Sequence, residues 1–274
     1  LAHADRIDVG GHVKAVILAA GRGGRLSEVI GDLPKCLARI GAVTLLERQI
    51  AAIRAAGIGD VTVVAGYRSN DVRRVCGPHV QLLENPHYAT TNSLYSLWLA
   101  RDALTDGFVV FNCDVLFHQQ LLSDLLTARY DDALLMCARG DERYSDEEMK
   151  VRVRAGRVVD ISKAIDVDDA DGENVGIAKF GAPGARVLLE EADRLVPTGR
   201  TAWLPAAFAA FSRRRPLHVV DTRGFPWIEI DFPEDYWRAC AHVLPSIEAH
   251  AVARRAPQAA AASATASGRT LHHV

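Results

Sequence analysis

The sequence predicts an α/β fold, a mostly parallel sheet with helices on both faces, joined to a second half that carries a β-hairpin. Three observations predict it. Short apolar runs alternate with longer amphipathic ones from 13 to 128. The first run, "VKAVILAA" (13–20), is almost continuously apolar, as a strand buried on both faces requires. After about residue 130 the alternation gives way to period-2 patterning around Ala155–Gly156, the mark of a hairpin.

In chain order, 13–20 is the first strand. "TLLERQIAAIRAAG" (44–57) places Leu46, Ile50 and Ile53 on one helical face, with Gly57 available to end it. "VTVVAG" (61–66) and "VQLLE" (80–84) read as strands, 93–104 as a helix, "FVVFN" (108–112) as a fourth strand and 119–128 as a helix. Alternation of this kind implies parallel pairing through right-handed crossovers. In the second half, 149–163 is the hairpin, 174–180 a strand, 183–196 and 200–212 helices and 216–221 a strand. "PEDYWRACAHVL" (233–244) opens on proline and two acids, a helix start. Residues 249–274 form an Ala-rich tail. The folded part is expected over 12–248, with a first half at 12–128 and a second at 129–248.

Composition limits the function. The 274 residues are 49% hydrophobic and 24% charged, with 32 basic against 34 acidic residues. That balance, without blocks of like charge, predicts no nucleic-acid partner. Cys36, Cys76, Cys113, Cys137 and Cys240 are scattered with no C-x-x-C, and read as reduced thiols of a cytoplasmic protein. No apolar run approaches the ~20 residues that span a bilayer, so no membrane partner is expected. The opening "LAHADRIDVGG" has no secretory h-region. The histidines show no metal-ligand spacing, and His118 reads as a loop residue.

Directly behind the first strand comes "LAAGRGGRLSEVIGDLPKCL" (18–37). It is not a dinucleotide fingerprint, because Leu26 stands where the third glycine belongs, and no Walker A string occurs. Small residues let backbone N–H groups approach phosphate oxygens, and Arg25 and Lys35 add positive charge. The string resembles the L-A-A-G-x-G-x-R-L…P-K signature of the sugar-phosphate nucleotidyltransferase superfamily, through Leu18, Ala19, Ala20, Gly21, Gly23, Arg25, Leu26, Pro34 and Lys35. Further blocks resemble its phosphocholine cytidylyltransferase-like branch: "NPHYATTNSLYSLWLA" (85–100), "FNCDVLF" (111–117), "EEMKVRV…GRVVDISK" (147–163), "GENVGIAKF" (172–180) and "WIEIDFPEDY" (227–236).

The resemblance implies a Rossmann-like sheet of the GT-A type, in which 12–128 binds a nucleotide and 129–248 an acceptor. It implies that Leu18, Ala19, Ala20, Gly21, Gly23, Gly66, Thr91, Asn92 and Ser93 hold the nucleotide. Arg25, Lys35, Asp114 and Lys163 are the expected catalytic set. Lys150, Lys163, Glu173 and Trp227 are expected at the acceptor. Asp114, Glu229 and Asp231 are the expected Mg²⁺ ligands, hard oxygens as that ion prefers. Asp231-Phe-Pro-Glu234 also fits a helix N-cap with a capping-box glutamate.

The expected reaction joins CMP from CTP to a small phosphate or phosphonate, of the phosphocholine or 2-aminoethylphosphonate type, and releases pyrophosphate. A sugar-1-phosphate nucleotidyltransferase is the alternative. A GT-A glycosyltransferase or a non-catalytic nucleotide-binding regulator are alternatives of other classes. Asn112-Cys113-Asp114 lacks the D-x-D that a glycosyltransferase would carry. For a quaternary ammonium acceptor, Trp203, Trp227, Tyr144 and Tyr95 are candidate cage residues. For an amine, Asp141, Glu142 or Glu173 could serve. A homodimer is compatible with this reading.

Overall fold

The computed structural model describes residues 13–140 and 147–250. The first half runs β1 (Lys14–Ala19), α1 (Ser27–Ile30), β2 (Arg39–Ile40), β3 (Val43–Thr44), α2 (Leu45–Ala55), β4 (Val61–Ala65), α3 (Ser69–Cys76), β5 (Gln81–Glu84), α4 (Ser93–Leu99), β6 (Gly107–Asn112), β7 (Val115–Phe117) and α5 (Gln119–Thr127). The second runs β8 (Ala133–Ala138), β9 (Lys150–Arg154), β10 (Arg157–Ser162), β11 (Gly172–Gly181), α6 (Ala182–Leu195), α7 (Leu204–Ser212), β12 (His218–Asp221), β13 (Trp227–Glu229) and α8 (Pro233–Arg238). A π-helical turn, Ala239–Val243, continues α8. The Ala-rich tail from 251 onward, and Asp141, Glu142 and Tyr144, lie outside the described residues.

The strands form one nine-stranded mixed sheet in the order β5-β4-β1-β6-β11-β8-β12-β10-β9. β5, β4, β1 and β6 are parallel. β11 enters antiparallel between β6 and β8, so the sheet runs unbroken from the first half into the second. β11 also pairs with β9 at Gly172 and Glu173. Strands β11, β8, β12, β10 and β9 therefore close into a ring, and β5 is left as the open edge among the described strands. Such closure removes the unpaired backbone row that an edge strand exposes.

Period-2 alternation divides the core as a sheet covered on both faces must. Ala15, Ile17 and Ala19 of β1 and Val109 and Phe111 of β6 face a cluster with Leu46, Ile50, Ile53, Val72, Leu121, Leu122 and Leu125 of α2, α3 and α5. Val16, Leu18, Phe108 and Val110 face the opposite cluster, with Leu94, Leu97, Leu188, Phe208 and Phe211 of α4, α6 and α7. Thr44 caps α2 in a capping box: its Oγ1 accepts from the Glu47 N–H at 3.2 Å, and the Glu47 carboxylate accepts from the Thr44 N–H at 2.7 Å. Such a cap contributes about 1 kcal/mol.

A smaller cluster, including Leu26, Ile40, Leu45, Leu116, Ile228, Ile230 and Leu244, fastens the glycine-rich loop to the C-terminal elements. Register then sets the site. Leu18 pairs with Asn112, so β1 and β6 end side by side. In the separate β13–β7 pair, Glu229 stands opposite Val115. The Ile230 N–H donates to the Asp114 carbonyl at 2.9 Å, which brings residues 229–231 alongside Asp114.

Three local expectations change. The predicted helix at 200–212 starts four residues later, at Leu204, leaving Trp203 in extended backbone at its cap. His118 lies between β7 and α5, as a loop residue should, but it caps α5 and is buried: it is 4% exposed, its Nδ1 accepts from the Gln120 N–H at 3.1 Å, and its ring stacks on Phe225. Asp231 does not cap α8. The Asp235 carboxylate does so, accepting from the N–H groups of Asp231 at 3.1 Å and Phe232 at 3.0 Å. The Asp231 side chain is thereby left for the cleft.

Candidate active site

The C-terminal ends of β1 and β6 open into a cleft of about 320 Å³. This is where open α/β sheets hold ligands, because helix and loop starts converge there. Leu18, Ala20, Gly21, Gly23, Arg25 and Lys35 line one wall. Gly23 has φ +68°, and a Cβ there would lie 2.7 Å from Lys35 Cβ. Only glycine meets both conditions, so the loop can close directly onto the lysine. Leu26, fully buried, anchors the next turn. Further along, Tyr67 Oη donates to Asp32 Oδ1 at 2.5 Å, and Arg68 Nη1 donates to the Asp32 carbonyl at 2.8 Å, tying the loop to the segment after β4.

Lys35, Asp114 and Asp231 meet at the centre. Lys35 Nζ donates to Asp114 Oδ2 at 3.1 Å and to Asp231 Oδ1. Burial pulls the Lys35 ammonium down, but the two carboxylates outweigh it and hold it above the ordinary lysine value. Burial pushes Asp231 up; the Lys35 charge and hydrogen bond, with Arg25, more than reverse that and keep it below the usual carboxylate range. Arg25 Nη2 donates to Asp231 Oδ2 at 3.0 Å, and its guanidinium lies 4.6 Å from the centre of the Phe232 ring. Glu229 is pushed well above the usual range by burial, then by the Asp114 and Asp231 charges.

Asp114, Glu229 and Asp231 each present an oxygen within 4.8 Å of the others. Asp114 Oδ1 is buried without a hydrogen-bond partner among the described residues. An acceptor left without a partner, within a set of three carboxylates, fits a hard divalent cation, which would also favour the ionised form of Glu229. The position of Asp114 is itself fixed from the core. Gln49, on α2, donates through Nε2 to the carbonyls of Asn112 and Val115, both at 2.9 Å.

The other wall is built from the 85–93 segment. Buried Asn85 donates through Nδ2 to Thr91 Oγ1 at 3.1 Å and Ser96 Oγ at 3.2 Å, while its Oδ1 accepts from the His87 N–H at 2.9 Å. Thr91, Asn92 and Ser93 line the cleft with Asn85 and Tyr88. Asn92 is the N-cap of α4, its Oδ1 accepting from the Ser93 N–H at 2.9 Å. From the second half come Glu147, Met149, Lys163, Asn174, Trp203 and Pro205. Glu147 Oε2 accepts from Arg25 Nη1 at 3.4 Å and from Lys163 Nζ at 3.2 Å. The Lys163 hydrogen bond and charge, aided by Arg25, hold the Glu147 carboxyl below its usual range.

Several predicted site residues do not line this cleft. Ala19 is buried in the core. Gly66 is close-packed against protein: a Cβ there would lie 2.5 Å from Tyr88 Cβ and 2.7 Å from the Ala20 carbonyl oxygen. Its small size serves the approach of two loops rather than that of a ligand. Lys150 is fully buried in β9, in register with Glu173. Glu173 lies outside the cleft lining, and burial followed by the Glu148 charge pushes it up to about 7. Trp227 pairs with Phe117 in β13 and packs on the core. Tyr95 is buried, 6% exposed. The sequence reading missed Asn85, Tyr88, Asn112, Asn174, Glu147 and Met149 as cleft residues. Pro205 was the available signal for Trp203, since proline in a first helical turn marks the residues before it as non-helical.

Comparison with known proteins shows the family. The model of the MobA-like NTP transferase domain family matches residues 15–271. The chain is 32% identical over 227 residues to the bifunctional IPC transferase and DIPP synthase of Rubrobacter xylanophilus, covering 81% of this chain and 50% of that protein. It thus spans half the length of that relative. It is 26% identical over 234 residues to the choline-phosphate cytidylyltransferase of Streptococcus pneumoniae, covering 82% of this chain and 95% of that protein. Among solved structures it is similar to CTP:phosphocholine cytidylyltransferase from Streptococcus pneumoniae, with a TM-score of 0.70 and 25% identity over 84% of this chain and 98% of the other.

Proposed function

The chain belongs to the MobA-like NTP transferase domain family, and from that premise we propose that it is a cytidylyltransferase. It joins CMP from CTP to a small phosphate or phosphonate and releases pyrophosphate. The observation that carries this reading is the convergence of Lys35 and Arg25 on Asp114 and Asp231 in one cleft, from positions up to 206 residues apart in the chain.

An oxygen of the acceptor's phosphate attacks the α-phosphorus, the bond to the β-phosphate oxygen breaks, and pyrophosphate carries away the electron pair. The nucleophile is already an anion near neutral pH, so the site needs no general base. The difficulty is the approach of two anions, and the remedy is fixed positive charge. Lys35 and Arg25 neutralise the departing pyrophosphate, with the backbone of 20–24 wrapped around it. Lys163 holds the acceptor's phosphate. Mg²⁺ held by Asp114, Asp231 and Glu229 would supply further charge neutralisation at the α-phosphate. Thr91, held by Asn85, supplies hydrogen-bonding groups for the base and ribose together with Asn92 and Ser93.

Trp203 supports an acceptor that bears an ammonium group. The residue is 50% exposed, and Lys163 Nζ lies 5.7 Å from the ring centre. The face already accepts a cation, as an aromatic quadrupole does.

Pyrophosphate release from each of the four NTPs, with phosphocholine, 2-aminoethylphosphonate and sugar 1-phosphates as acceptors, tests the reading. Release from CTP that depends on a phosphocholine or aminoalkylphosphonate acceptor is expected. Release that requires a sugar 1-phosphate moves the assignment to NDP-sugar synthesis. Nucleotide binding without release under any pairing, or glycosyl transfer instead, overturns it.

A further inference from the structure

Resting on the cytidylyltransferase reading, we infer that Glu147 is an internal stand-in for a substrate phosphate, a latch that the incoming anion must displace. One oxygen of its carboxylate, Oε2, receives two cationic donors, Arg25 Nη1 at 3.4 Å and Lys163 Nζ at 3.2 Å. These cations come from opposite sides of the cleft. Arg25 lies on the glycine-rich loop, fastened by its other nitrogen to Asp231. Lys163 follows the β9–β10 hairpin and rests against Trp203. All four of Glu147, Arg25, Lys163 and Asp231 line the same cleft. Two nitrogens of fixed positive charge converging on one oxygen is the arrangement that a phosphoryl oxygen between the two substrates requires.

An ordinary surface ion pair would join neighbours and leave a binding surface untouched. This one joins the groups assigned to the leaving pyrophosphate and to the acceptor phosphate, and neither can engage a substrate fully while Glu147 holds it. A carboxylate carries one negative charge and a triphosphate several, so substrate wins the exchange. The side chain of Glu147 is 57% exposed, and a pair so well solvated is weak enough to be broken on every cycle. Apparent affinity then equals intrinsic affinity reduced by the fraction of molecules with the latch open; a latch closed about 70–90% of the time weakens binding about 3- to 10-fold. Before substrate arrives, the latch keeps two like charges facing one cleft from repelling each other.

Titration calorimetry of inorganic pyrophosphate and of CTP, each with Mg²⁺, on wild type, Glu147→Gln and Glu147→Ala is the test, with steady-state kinetics alongside. Both variants are expected to bind pyrophosphate and CTP about 3- to 10-fold more tightly, with the KM for CTP lowered accordingly. Glu148→Gln makes the same change in net charge one residue away, outside the cleft lining, and is expected to leave the affinities within about twofold. Unchanged or weaker binding in both Glu147 variants overturns the latch. Equal tightening in Glu148→Gln also overturns it, by showing that bulk charge is responsible. If wild type binds neither CTP nor pyrophosphate, the cytidylyltransferase reading falls and takes the latch with it; if wild type binds both and turns over, only the latch is at stake.

Discussion

The two halves of the molecule use one continuous sheet in different ways. In the first half, the site hangs from strand ends: the loop after β1, the turn after β6 and the segment after β5. In the second, five strands close into a ring, and residues within them such as Lys150 and Val151 point into packing. The second half's side of the cleft is therefore supplied from ring margins: Glu147 and Met149 before β9, Lys163 after β10, Asn174 near the start of β11 and Trp203 before α7. Strand-end loops leave a recognisable string of residue types; at the ring margins a string also yields Lys163, but which of its neighbours reach the cleft depends on register.

If that contrast is right, damage on the first side should be catalytic and severe. Asp114→Asn, removing a negative charge at the proposed cation site while keeping shape, is expected to lower kcat by about 10³-fold or more in the pyrophosphate assay. Near-normal turnover with Mg²⁺ would sink the metal assignment.

Gly23→Ala comes next. The left-handed backbone costs a non-glycine residue about 1–2 kcal/mol, and the new methyl displaces Lys35. A loss of about 10- to 100-fold in kcat is expected, with thermal unfolding lowered only modestly. A fall in stability without a fall in kcat would show that the loop does not position Lys35.

On the acceptor side the effects should be smaller and should separate cleavage of function from packing. Trp203→Ala is expected to raise acceptor KM about 3- to 10-fold and leave the KM for CTP unchanged. Trp227→Phe, changing a residue packed on the core, is expected to lower stability by about 1–2 kcal/mol with both KM values unaltered. The reverse pattern would exchange the roles of the two tryptophans.

The smallest effect on turnover, and the sharpest on folding, is expected at Glu173. Its carboxyl, raised from 4.5 to about 7, binds a proton more tightly in the folded chain than in the unfolded one. That contribution favours folding at low pH and is lost as pH rises through this window. Wild type should lose about 1–3 kcal/mol of stability between pH 5 and pH 8 from this group, and Glu173→Gln should lose that slope while keeping its activity. Chemical denaturation at the two pH values, without divalent ions, decides it.

These contrasts also explain what could be read from the sequence. Strands β1, β4 and β6 and the helices beside them follow from hydrophobic period alone, because both faces of the sheet are covered. The three-residue strands β7 and β13 are too short to show a period, although they deliver Glu229 and Asp231 to Asp114. Helix α3 is mostly polar and escaped notice. In the site, Arg25, Lys35, Asp114 and Asp231 were legible because a chain-local string surrounds each. Lys150, Glu173 and Trp227 carried the right residue types, but the pairing of β9 with β11, and the irregular register of β11 between Asn174 and Ala178, decide which side chains reach the cleft. Sequence spacing does not encode that register.

The open edge at β5 sets how this architecture can change over generations. The connections at the ring's rim can lengthen or be replaced while every ladder stays intact. Attaching another protein module along the sheet, by contrast, has a single doorway among the described strands, and it lies three strands from β6, whose end carries Asp114. The connections that can vary freely and the edge that can still pair thus lie at opposite ends of one sheet.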